Sequence, residues 1–180
     1  MNVKKLLRKA AYEIVSQKPV EKVTIREILE IADVSRQTFY RNYTDKYALV
    51  NEIYYDLTNK GIVEPEAVNS LESWHKMYLM QFAAYRKHLD FVRHLFSSRE
   101  TGCTLEFEIQ QTLEFDKALL KKNGADLNDG RILFALEAKD IGGTNVMADW
   151  IIGGMKTDDD EMVIRFELVI PEILRKYMFC

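Results

Sequence analysis

A chain of 180 residues with 47% apolar and 29% charged residues, 8 Gly and 3 Pro has the make-up of an ordinary globular protein, which excludes collagenous, low-complexity and disordered classes. No apolar run approaches the roughly 20 residues that a membrane-spanning helix needs, and Cys103 and Cys180 form neither a disulfide framework nor a metal-ligand spacing. The expectation is a cytoplasmic protein with free thiols, no membrane association, no metal and no cofactor.

The net charge of −3 is unevenly divided: the first 50 residues carry 10 Lys and Arg against 6 Asp and Glu, the other 130 carry 15 against 22. A basic head on an acidic body points the head towards a polyanion.

Apolar spacing is helical nearly throughout, so the fold class expected is all-α, with about nine helices. Leu6, Leu7, Ala10, Ala11, Ile14 and Val15 form the apolar stripe of a first helix that Pro19 stops, with Lys4, Lys5, Arg8 and Lys9 on a separate arc. Thr24 followed by Glu27 is a capping box that opens a second helix burying Ile25, Ile28, Leu29 and Ala32. After a break at Asp33-Val34, Ser35 is placed to cap a two-turn helix over 36–43. Thr44-Asp45 caps a fourth helix running towards Gly61. Further helices are expected near 69–88, 89–98, 104–123, 129–152 and 160–178, the last bent by Pro171.

Three short helices with a tight break before the third outline a helix-turn-helix. Stepping about 100° per residue from Ser35 places Phe39 and Tyr43 at about 40° and 80°, the inward side. Gln37, Thr38 and Arg41 fall at about 200°, 300° and 240°, facing away. Gln suits adenine, Arg suits guanine, and Thr can also touch the thymine methyl. Tyr40 and Asn42 flank this face within reach of phosphates, and Lys46 adds a cation at the start of the fourth helix.

The run Thr24-Ile25-Arg26-Glu27-Ile28, then Ala32-Asp33-Val34-Ser35-Arg36-Gln37-Thr38-Phe39-Tyr40, then Asn42-Tyr43, Lys46 and Leu49 resembles the N-terminal signature of the TetR family of bacterial transcriptional regulators. The resemblance covers about residues 3–55. Asp33 stands where the family usually has Gly, and Asn42 where His is common. The resemblance implies that Thr24, Ser35, Arg36, Gln37, Thr38, Tyr40, Asn42 and Lys46 lie at a DNA surface. It also implies a DNA-binding head over 1–48 and a helical ligand-binding and dimerisation domain over 49–180. The stretch Asp140 to Gly154 looks like the penultimate helix of such proteins and the stretch to Tyr177 like their last, the pair that builds a homodimer four-helix bundle. Gly142 and Gly143 inside a helix fit a close approach of backbones there.

The function expected is therefore a non-enzymatic, ligand-responsive transcriptional regulator, a repressor by family habit, that binds a near-palindromic double-stranded DNA operator as a homodimer. Its small-molecule effector would sit in a cavity lined by about three or four of the aromatic residues Tyr54, Tyr55, Trp74, Tyr78, Phe82, Tyr85, Phe91, Phe96, Phe107, Phe115, Phe134 and Trp150, most of which are core. The alternative is an adaptor or co-regulator of the same fold that answers to a protein or metabolite partner. No nucleophile elbow, Walker loop or dinucleotide fingerprint supports an enzyme. His75, His88 and His94 lack ligand spacing, and Glu106, Glu108 and Glu114 read as one solvated face of the 104–123 helix.

Overall fold

The computed structural model describes residues 2–58 and 64–179; the expected run of the fourth helix towards Gly61 and the position of Cys180 lie outside them. Among the described residues there are ten α-helices and no strand: α1 (Val3–Val15), α2 (Ile25–Ala32), α3 (Arg36–Tyr40), α4 (Lys46–Thr58), α5 (Leu71–Lys87), α6 (Leu89–Phe96), α7 (Thr104–Lys122), α8 (Gly130–Ile152), α9 (Asp159–Leu168) and α10 (Glu172–Met178). Single 3₁₀ turns stand at Val20–Lys22 and Pro65–Ala67.

Local chemistry sets most of these boundaries. Thr24 accepts a hydrogen bond from the Glu27 backbone while the Glu27 carboxylate accepts from the Thr24 N–H at 2.9 Å, closing the capping box of α2. Ser35 caps α3 by accepting from the Thr38 N–H, Asp45 caps α4 through the Ala48 N–H at 2.8 Å, and Ser70 caps α5. Asp158 caps α9, so the acidic run 158–160 meets the positive end of a helix. Helix α2 ends with Asp33 in the left-handed conformation, φ 51° and ψ 51°, where the Asp33 and Val34 N–H groups close on the Leu29 carbonyl. Asp tolerates that conformation better than most residues, which is why the turn holds without a glycine.

Two boundaries depart from expectation. Helix α3 is shorter than 36–43, because the Asn42 N–H tightens onto the Phe39 carbonyl three residues back, while its side-chain amide takes the Thr38 carbonyl. Pro171 does more than bend the last helix. It lacks an N–H and disfavours helical φ/ψ at Ile170, so the helix stops at Leu168 and restarts as α10, giving ten helices instead of nine.

The head packs Leu7, Ala11, Val15, Ile28, Phe39 and Leu49 into one core, with α1 lying across both α2 and α4. Helix α4 also packs against α5 and α7 of the body, so the two parts share a rigid element. The body core is aromatic: Trp74, Tyr54, Tyr85, Phe82, Phe91 and Phe96 are fully buried. Cys103 is buried immediately before α7.

Candidate nucleic-acid interface

The third helix shows the face that its spacing predicts. Phe39 and Tyr43 are buried in the head, with ring centroids 6.0 Å apart. Ser35, Arg36, Gln37, Tyr40 and Arg41 are exposed, and Thr38 and Asn42 are half-buried. The side chains of Gln37 and Arg41 make no hydrogen bond or ion pair with any described residue, which leaves their donors available.

Their neighbours are tied down. The Thr38 hydroxyl lies 2.8 Å from that of Ser35. Arg36 stacks its guanidinium over the Tyr40 ring, 5.6 Å from the centroid, and reaches its hydroxyl at 3.5 Å, so the pair forms a rigid cation and phenol beside the reading face. Asn42 donates one amide hydrogen to the Thr38 carbonyl at 2.8 Å, which fixes the side chain and keeps its other N–H free. Thr24 lies exposed on the same head at the tip of α2, its hydroxyl donating to Glu27. Lys18 at 2.5 Å from Glu27 and the two Thr24 bonds hold the Glu27 carboxyl down to about 2.

Lys46 is differently occupied from the phosphate seat expected of it. Its ammonium donates to the carbonyls of Glu21 at 3.1 Å and Val23 at 3.2 Å and pairs with Glu100 at 3.5 Å, and its side chain is only 16% exposed. The neighbouring Tyr47 hydroxyl bonds to Ser98 and to Glu100. Together these residues tie the loop before α2 to the α6–α7 connection. The basic stripe on α1 is likewise largely paired: Arg8 bridges Glu52 at 2.8 Å and Asp56 at 2.5 Å on α4, Lys4 joins Glu52, and Lys9 pairs with Glu13 at 3.7 Å. Lys5 and Lys9 remain exposed.

Further ties run from the head to α5 and α6. The Tyr12 hydroxyl meets His88 Nδ1 at 2.9 Å, and His94 Nδ1 meets the Val15 carbonyl at 2.7 Å. The histidines thus serve contacts between elements, and no group of three His, Cys, Asp or Glu side chains among the described residues could hold a metal ion.

The body holds an acidic surprise. Glu108, expected on a solvated face of α7, is only 6% exposed and accepts from Gln81 Nε2 at 3.1 Å and the Tyr85 hydroxyl at 3.4 Å. Beside it, buried Lys139 stands between Asp116 at 2.7 Å and Asp140 at 2.5 Å. Both clusters pack where α5, α7 and α8 meet. Helix periodicity could not find them, because a carboxylate on a helix of mixed polarity reads as surface until its neighbours are known.

Residues 7–53 match the model of the family described as "Bacterial regulatory proteins, tetR family". The solved structure of "Dihydroxyacetone kinase operon activator DhaS" has a similar fold, with a TM-score of 0.62 and 15% identity over 98% of each chain. No curated protein matches the chain. The matched head is that of a DNA-binding transcriptional regulator, joined to an all-helical body. Among the described residues no helix is long and apolar enough to cross a membrane.

Proposed function

We propose that this chain, whose head belongs to the tetR family of bacterial regulatory proteins, binds a near-palindromic operator as a homodimer and changes its hold on DNA when a small molecule enters the body. The observation that carries the DNA reading is the exposed, unengaged pair Gln37 and Arg41 on the outward face of α3, backed by Phe39 and Tyr43 in the core. These two side chains and Thr38 read base edges in the major groove, while Thr24, Ser35, Arg36, Tyr40 and Asn42 contact the sugar-phosphate backbone. In this reading Lys46 holds the head to the body and touches no phosphate.

The homodimer reading rests on exposed apolar area. Among the described residues, six of the ten large hydrophobic residues left exposed lie on α8, α9 and the residue after it: Phe134, Ile141, Val146, Ile164, Leu168 and Val169, with Phe134 74% and Leu168 73% exposed. A concentration of this kind marks an interaction surface. A second copy covers it most economically, because two identical patches close on a two-fold axis. That axis sets the distance between two heads, and half-sites lie about one or more helical turns apart.

The ligand reading rests on a cavity of about 410 Å³ walled by α4, α5 and α7. Its volume lies in the range of small-molecule sites. Tyr55 and Thr58 of its wall belong to the same α4 that carries Lys46 and Tyr47, so an occupant that shifts α4 shifts the head. The operator activator of similar fold makes activation as natural an outcome as repression.

Alanine variants of the reading face test the DNA assignment. Gln37→Ala and Arg41→Ala each cost about 1–3 kcal/mol and relax preference at one operator position, measured against a library of operator variants. A uniform loss across all sequences would place these side chains on the backbone instead.

A further inference from the structure

We propose that the cavity between α4, α5 and α7 binds a compact organic cation, a protonated amine with an apolar body, whose charge is met by Glu108. The inference rests on the reading of that cavity as the effector site and names the class of effector.

The observations are independent of the DNA-binding head. Glu108 lines the cavity and is more than nine-tenths buried, yet no Lys, Arg or His among the described residues lies within ion-pair distance of it. The hydrogen bonds that it accepts from Gln81 and the Tyr85 hydroxyl both land on Oε1. Burial alone pushes its carboxyl above the usual carboxylate range, against three neutral donors, Tyr54, Gln81 and Tyr85, that favour the charged form. A buried carboxyl held by neutral donors and left without a counter-charge is costly to ionise, and a cation entering the cavity would offset that cost.

The rest of the wall agrees in sign and shape. Among its described lining residues there are four carboxylates and no Lys, Arg or His. Glu64 and Glu114 are exposed at the rim, while Asp116 is already neutralised by Lys139 behind the wall. A carboxylate or phosphate ligand would meet only like charge here. A bare metal ion is no better suited, since no three metal-ligating side chains converge among the described residues. Tyr55, Tyr78 and Phe115 line the same space, and aromatic rings suit the apolar body of an amine as well as its charge.

The test is calorimetric titration of the full-length protein with three probes of equal size: phenethylammonium, phenethyl alcohol and phenylacetate. Phenethylammonium is expected to bind at least tenfold more tightly than the alcohol, with phenylacetate weakest. Glu108→Gln keeps the volume and a hydrogen-bonding group, and is expected to remove the preference for the cation while changing the alcohol's affinity less than twofold. Equal binding of the three probes, a preference that survives Glu108→Gln, or no binding of phenethylammonium at millimolar concentration each overturns the proposal. The wild-type comparison stands by itself if the variant is unstable. Operator binding at saturating phenethylammonium separates the two readings: tight cation binding with unchanged operator affinity would leave the ligand class standing and remove the effector role.

Discussion

Lys46 shows how a residue with a strong sequence signature acquires a role only the fold reveals. At the start of α4 it looks like a phosphate ligand, yet its three donors are directed at Glu21, Val23 and Glu100. Glu100 is 54 positions away, and no local pattern connects the two. Lys46→Met is therefore expected to destabilise the protein by about 1–3 kcal/mol, because two carbonyls lose a charged donor. It should leave the slope of log affinity against log salt unchanged. A phosphate ligand would instead flatten that slope by roughly 0.9 per subunit. Glu27 offers the opposite case, since its capping box is written in two residues three apart. Its carboxyl is held at about 2, below the ordinary 4.5, so its stabilising contribution is present above about pH 4.5 and lost as pH falls towards 2. Glu27→Gln is expected to lower Tm slightly at pH 7, with the difference from wild type vanishing across that acid window. A difference that persists at pH 2 would point to lost packing instead of lost charge.

Among the elements, the boundaries of α2, α5, α6, α7 and α8 are legible in the sequence, each within two residues of where spacing and punctuation put it, whereas α1 ends at Val15, short of the Pro19 expected to stop it. The division of the last helix was only half legible. Pro171 announces a disturbance, but whether the chain bends or stops depends on what α9 and α10 pack against. Glu108 departs from the solvated face that its spacing suggests for a related reason, because the face of α7 it occupies is closed by Gln81 and Tyr85 from another helix. Helix α8 carries a prediction of its own. A Cβ added at Gly142 meets nothing within 4 Å, and one at Gly143 meets only the Phe166 ring at 3.9 Å, so within one chain neither position needs glycine. Gly142→Leu is expected to leave monomer helicity intact and to weaken self-association at least tenfold in sedimentation experiments. Unchanged association would move the subunit contact away from this part of α8.

At the scale of the whole molecule, the parts form one mechanical chain. A cavity in the body is walled by α4, the head is pinned to α4 by Arg8 and Lys4, and Lys46 and Tyr47 lock the base of α4 to the α6–α7 connection. An occupant of the cavity can alter operator affinity only by its preference for one spacing of the heads over another, and DNA must alter ligand affinity by the same factor. The central claim is that two copies of α3, held at a fixed distance, read DNA sequence. The most direct measurement is repeated selection of the full-length protein on random double-stranded DNA, followed by sequencing of what it retains. The account predicts enrichment of one inverted repeat whose two half-sites are about one or more helical turns apart, with enrichment abolished when Gln37 and Arg41 are both replaced by Ala. Retained DNA with no shared sequence, or a shared sequence unaffected by that double replacement, would contradict it.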